Sequence, residues 1–263
     1  MKREIGLFLA AFMTACVGTT GGQVITFHAE ASGPSDLIAG RPFAFDSIYG
    51  LGSAAITWHV VLTKATLHVG AVYLSQTATI SGSQIVGCYV PGTYVGEVTS
   101  GVDVDLLSPT PTAFPDDGEG TTLPAASAQV WLTQGDVSTV DKAVILALEG
   151  TADDDNGDHR PFTASVTIGQ NRLGSGTATA GANPICKQRI VSFGSALALS
   201  QGGTLHLTID PRLLFVNVDF SELATSTTAG TYAFKDNSSD QPSGALYNAL
   251  RSAGTLYTLR FTP

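Results

Sequence analysis

The chain has 263 residues, a formal net charge of −9 and only 13% charged residues. That balance leaves no basic footprint for nucleic acid and no attraction to anionic lipid head groups. With 29 glycines and little charge, the composition fits an exported β-protein rather than a helical cytosolic enzyme.

The first element is a short charged head, Met1-Lys2-Arg3-Glu4, followed by the apolar run Ile5 to Met13 and then Thr14-Ala15-Cys16. The run is too short to span a bilayer as a helix, but suits the core of a secretory signal. These residues resemble the lipobox of bacterial lipoproteins, although Met13 stands where leucine is commoner. The resemblance implies export, cleavage before Cys16 and acyl chains on that cysteine. An ordinary signal cut elsewhere, or a buried N-terminal helix, is the alternative reading. Removal of Lys2, Arg3 and Glu4, together +1, takes the charge from −9 to −10. Attachment to a membrane therefore falls to the lipid. Val17 is not the aspartate associated with inner-membrane retention, so the resemblance implies the outer membrane, facing the periplasm or the cell surface.

The expected organisation is a signal peptide over 1–15, a flexible tether over 16–22 rich in small residues, and one domain over 23–263. Three cysteines, Cys16, Cys88 and Cys186, are an odd count for an exported chain. With Cys16 carrying lipid, Cys88 and Cys186 are left to pair outside the reducing cytoplasm. Such a bridge closes a loop of about 100 residues and contributes roughly 4–5 kcal/mol in the chain-entropy model. Two separate buried thiols are the alternative.

Beyond the tether, short β-rich runs alternate with turn signals. Val24–Ala29 reads as a strand and Gly33–Gly40 as a loop. Ile56–Leu62 and Ala65–Leu74 are the strongest strands, rich in β-branched and aromatic residues. Thr93–Thr99 follows the Pro91-Gly92 break. The segment 108–121 holds Pro109, Pro111, Pro115 and three acidic residues, and reads as an exposed loop. Ala128–Leu132, Ala143–Leu148 and Phe162–Ile168 read as strands, with Asn156-Gly157 marking a hairpin turn. The stretch 174–183 reads as a loop. Thr204–Ile209, Leu213–Phe220 and Leu256–Phe261 read as strands. One helix is expected, Ser243–Ala253, capped by Ser243 and stopped by Gly254. Many short strands with one helix near the C-terminus predict an all-β, immunoglobulin-like β-sandwich.

No G-x-S-x-G elbow occurs, and no base has a recognisable context, so the sequence argues against an enzyme. The acidic turn 153–158 does not fit a calcium loop. With Gly157 as the sixth position, the first is Ala152 and the twelfth Thr163, neither a ligand. Four histidines, His28, His59, His68 and His206, lie in strand-like runs, and His159 follows the acidic turn. Imidazoles from neighbouring strands can converge on copper or zinc, although their spacing matches no short metal motif. Strand histidines facing solvent, or bonded in the core, are the alternative.

Several short pieces occur in the order Ile25-Thr26-Phe27-His28, Gly40-Arg41-Pro42-Phe43, Tyr49-Gly50-Leu51-Gly52, Val72-Tyr73-Leu74 and Val90-Pro91-Gly92-Thr93-Tyr94. Trp131, Leu148-Glu149-Gly150-Thr151 and Leu205–Phe215 follow. In that order they resemble the MbnP-like family of periplasmic copper-binding proteins. The resemblance implies an extracytoplasmic sandwich with a copper site, His28 being the ligand whose position matches. One departure stands at Val166-Thr167-Ile168-Gly169, where that family carries a histidine.

The expected function is that of a non-enzymatic, membrane-anchored lipoprotein whose sandwich binds a small ligand or a protein partner through its loops. The second expectation is a copper-binding protein using His28 with His59 or His68. The third is a surface structural or adhesion module working through 108–121 and 174–183.

Overall fold

A computed structural model describes residues 22–77, 93–133, 143–167, 190–236, 238–252 and 256–263. Cys16, Cys88, Cys186, the cleavage site and the stretch 174–183 lie outside them.

Sixteen strands form among the described residues, numbered in chain order. The first half comprises β1 (Val24–Ser32), β2 (Phe43–Tyr49), β3 (Ile56–Val69), β4 (Ala71–Ser75), β5 (Tyr94–Val98), β6 (Val102–Asp105), β7 (Thr112–Ala113) and β8 (Gly118–Thr121). The second comprises β9 (Ala125–Trp131), β10 (Val144–Asp154), β11 (His159–Thr167), β12 (Ile190–Leu197), β13 (Thr204–Ile209), β14 (Ala224–Thr225), β15 (Tyr232–Phe234) and β16 (Tyr257–Thr262). The helix α1 spans Gln241–Leu250. One sheet runs β12-β9-β4-β5-β8-β1-β13-β16, with β7 added beside β1. The other runs β14-β15-β11-β10-β3-β2, with β6 added beside β3. The fold is all-β and sandwich-like, and residues of both sheets share one apolar core.

The first sheet curls until its end strands approach. Phe193 of β12 stacks on Tyr257 of β16 with ring centroids 6.3 Å apart. The chain after β12 stays close to this sheet: His28 donates its backbone N–H to Gly203 at 2.8 Å and Gly202 donates to Thr26 at 2.8 Å.

The two strongest expected strands fall differently from the reading. Residues 56–69 make one long strand, and β4 begins at Ala71. Within β3 the buried apolar positions are Trp58, Val60 and Leu62, then Ala65, Leu67 and Val69. The parity changes at Thr63-Lys64. There Gly150 faces Leu62 and Glu149 faces Lys64 on β10, leaving Thr63 as the extra residue of a β-bulge. The bulge keeps both halves of the strand facing the core. It also hands the strand over from β2 to β6 on its other side.

The expected strand Leu213–Phe220 is instead two 3-10 turns, Pro211–Phe215 and Phe220–Glu222. Asp210 accepts from the Arg212 N–H and Asp219 from the Ser221 N–H, an alternative that competes with a sheet ladder. Asn217 adopts φ of 61°, in the left-handed region outside the regular strand conformation. The apolar run is buried all the same. Phe215 lies among Phe45, Phe162 and Phe220 with centroids 5.7, 5.8 and 5.8 Å away. A fully buried phenylalanine contributes about 1.5–3 kcal/mol.

The helix starts two residues before its expected position. Its cap is Asp240, which accepts from the Ser243 N–H at 3.0 Å. The Ser243 hydroxyl, in turn, accepts from the Lys235 N–H.

The segment 108–121 is not simply a loop. Residues 112–113 pair with β1, and 118–121 fill the position between β1 and β5. Gly118 permits this: a Cβ there would meet the Phe27 ring at 2.4 Å. The hairpin at Asn156-Gly157 forms as expected, joining β10 to β11. Only Gly157 takes positive φ, at 91°.

Candidate functional site

The structure gives every histidine a carboxylate neighbour. In β3 the residues that alternate with the buried set point to solvent, which places His59 and His68 on the outer face. There His59 meets Asp46 at 2.8 Å through Nδ1 and Asp155 at 3.0 Å through Nε2. His68 Nδ1 lies 2.7 Å from Asp103. On the other sheet, His28 Nδ1 lies 2.7 Å from Asp117. His159 pairs with Asp153, and His206 Nδ1 lies 2.5 Å from Glu30. Four of these pairs are direct cross-strand neighbours: Asp46 and His59, His68 and Asp103, Asp153 and His159, Glu30 and His206.

The three residues expected as copper ligands are not brought together. His28 stands on β1 of the first sheet, while His59 and His68 stand on β3 of the second. His59 and His68 are nine residues apart on that strand, about 30 Å of contour at roughly 3.3 Å per residue. Among the described residues no group of three or more His, Cys, Asp and Glu side chains is arranged to hold a metal ion. Both ring nitrogens of His59 are already taken by carboxylates. The pairing holds its pKa above the ordinary 6.5, through Asp155 first and Asp46 second.

The acidic turn is closed on itself. Asp154 accepts from the N–H groups of Asn156 and Asp158 at 2.9 and 2.7 Å. The Asp158 bond leads in holding the Asp154 carboxyl below the usual carboxylate range. That carboxylate organises its own turn.

A concave surface of mixed chemistry lies on the first sheet. Parallel pairing of β1 with β13 sets Glu30 beside His206, and antiparallel pairing of β13 with β16 sets His206 beside Arg260. The three side chains form one row across three strands. A cleft of about 390 Å³ opens above this row, walled by Pro109 and Pro111 and by Ser32, Ser35 and Thr208. The wall is fastened to the sheet: Gly33 donates its N–H to the Ser108 carbonyl at 2.9 Å. Strand β7 then runs alongside β1, with Ala113 facing Glu30. The His206 and Glu30 side chains are only 22% and 27% exposed. Arg260 is exposed, with no ion-pair or hydrogen-bond partner among the described residues.

A second groove of about 360 Å³ lies between α1 and the 211–215 turn, lined mainly by Leu213, Val216, Ala245, Ala249 and Leu256. None of its described lining residues is ionisable.

The sequence marks His206 as a strand histidine, but carries no mark on Glu30 or Arg260. The alternation in Thr204–Ile209 does place His206 on one face with Thr204 and Thr208. No signal links positions 30, 206 and 260, because only strand pairing joins them.

No family model, curated protein or solved structure matches the chain.

Proposed function

We propose that this chain is an exported, lipid-anchored binding protein that takes its ligand in the cleft over β1, β13 and β16. The cleft carries the reading. It combines a walled concavity, a half-buried imidazole–carboxylate pair and a guanidinium with no partner among the described residues, the mix of shape and few placed polar groups that small-ligand sites use. The anchoring part rests on the charged head, apolar run and Cys16 at the N-terminus. Among the described residues no helix is long and apolar enough to cross a membrane.

Metabolic labelling with an alkyne-tagged fatty acid tests the anchor. The wild-type chain is expected to take the label and to sediment with membranes. The Cys16→Ser chain is expected to lose both properties. An unlabelled wild-type chain that retains residues 1–15 refutes the anchoring.

A further inference from the structure

We infer that the cleft takes a small α-hydroxy monocarboxylate, its carboxylate on Arg260 and its hydroxyl on His206. This deepens the reading of the cleft as the binding surface and rests on it. The chain holds 22 acidic against 13 basic residues, so its cations have ample partners. Arg160 pairs with Asp158, Arg212 with Asp36 and Asp210, and Lys64 with Glu149. Among the described residues Arg260 has none, and neither has Arg41, but of these two only Arg260 lines the cleft. A free planar guanidinium is a ready bidentate partner for a carboxylate.

The neighbouring strand supplies the second contact. Glu30 occupies Nδ1 of His206, which fixes the proton of a neutral ring on that nitrogen and leaves Nε2 as an acceptor. Nε2 has no partner among the described residues. Adjacent strands lie about 4.8 Å apart, so Arg260 and His206 suit two groups on neighbouring carbons. The ligand hydroxyl donates to Nε2 while the carboxylate accepts from Arg260. Glu30 beside the site and the acidity of the whole chain both oppose a dianion. That argues for a monocarboxylate over a phosphate or a dicarboxylate. The volume of about 390 Å³ falls within the range of small-molecule sites.

The test is calorimetric titration of the chain as the cell processes it, purified in detergent, with L-lactate, propionate and inorganic phosphate. Lactate is expected to saturate one site. Propionate, lacking the hydroxyl, is expected to bind at least tenfold more weakly, as is phosphate. This comparison uses the wild-type chain and does not depend on any variant folding. Arg260→Gln is expected to weaken lactate at least tenfold, and His206→Ala to bring lactate and propionate to similar affinity. Absence of saturable lactate binding overturns the inference, as does equal affinity for propionate, tighter phosphate binding, or lactate binding unchanged in Arg260→Gln. Fatty-acid labelling reads the anchor separately, so either result stands without the other.

Discussion

Replacing Gly118 with alanine separates an ordered strand from an exposed loop by the sign of its effect. Gly118 is buried at the start of β8, opposite Phe27 of β1. A Cβ built there lies 2.4, 2.5 and 3.0 Å from three atoms of the Phe27 ring. Phe27 is itself 1% exposed and packs edge-on against Phe261 at 5.9 Å, so the ring cannot swing clear without disturbing β16. Overpacking of this kind costs about 1–3 kcal/mol. At about 3 °C per kcal/mol for a domain of this size, the melting temperature should fall by about 3–9 °C. On an unpacked loop the same change would be neutral, or would stabilise by about 0.4–1 kcal/mol through the unfolded chain. Gly194→Ala is the control. It lies in β12, has nothing within 4 Å of its Cβ position and no positive φ, so it should leave stability unchanged or raise it slightly. Thermal denaturation followed by circular dichroism reads both variants. A Gly118→Ala chain as stable as the wild type refutes the packing of residues 118–121 between β1 and β5.

The His59 cluster predicts a pH dependence. Because its pKa is raised in the folded state by Asp155 and Asp46, its stabilising contribution is complete below its ordinary value and is lost as pH rises through the raised one. The melting-temperature difference between wild type and His59→Gln should therefore be larger at pH 6 than at pH 8.5; a constant difference counts against the pairing. Asp210→Ala removes the cap of the 211–215 turn and the main partner of Arg212, whose pKa Asp210 raises. Urea unfolding should show a loss of about 1–2 kcal/mol, mostly the cap, since the half-exposed ion pair adds little. Tyr257→Phe removes the hydroxyl that donates to the Leu250 carbonyl at 2.8 Å. Stranding that buried acceptor should cost about 1–3 kcal/mol, and a variant of unchanged urea midpoint would show that the bond contributes nothing.

Alternation and composition made the sheets legible but not their joins. Thr204–Ile209 could be read to the residue because its apolar positions recur with period two and turn residues flank it. The bulge in β3 could not. Two apolar sets of opposite parity around Thr63-Lys64 look like two strands until the partner strand shows one continuous ladder. In Leu213–Phe220 the apolar content was right and the local geometry wrong, because Asp210 and Asp219 turn the backbone at each end. Residues 108–121 carried turn chemistry and still gained strand structure. The neighbouring edges of β1 and β5 supplied partners that sequence order does not reveal. The cleft was illegible for the same reason: Glu30, His206 and Arg260 become neighbours only through one parallel and one antiparallel pairing.

The two outer faces use the same residue types to different ends. Across β2, β3, β10 and β11 the register sets Asp46, His59, Asp153 and His159 in one alternating row. Each imidazole there is matched or outnumbered by carboxylates, and His59 spends both nitrogens on them. Such a row is exposed, and its imidazoles and carboxylates are bonded to one another. On β1, β13 and β16 the count differs by one residue. One carboxylate serves one imidazole, and among the described residues the guanidinium that follows is left over, beneath a wall of prolines pinned by the Gly33 N–H. The backbone that carries that guanidinium is held from the opposite face of the same strand. Tyr257 is buried against Phe193 and bonded to the end of α1, and three residues later the alternation turns Arg260 outward. The strand that carries Arg260 is thus held in register by the core, and ordering of its backbone adds nothing to the cost of any contact the side chain makes.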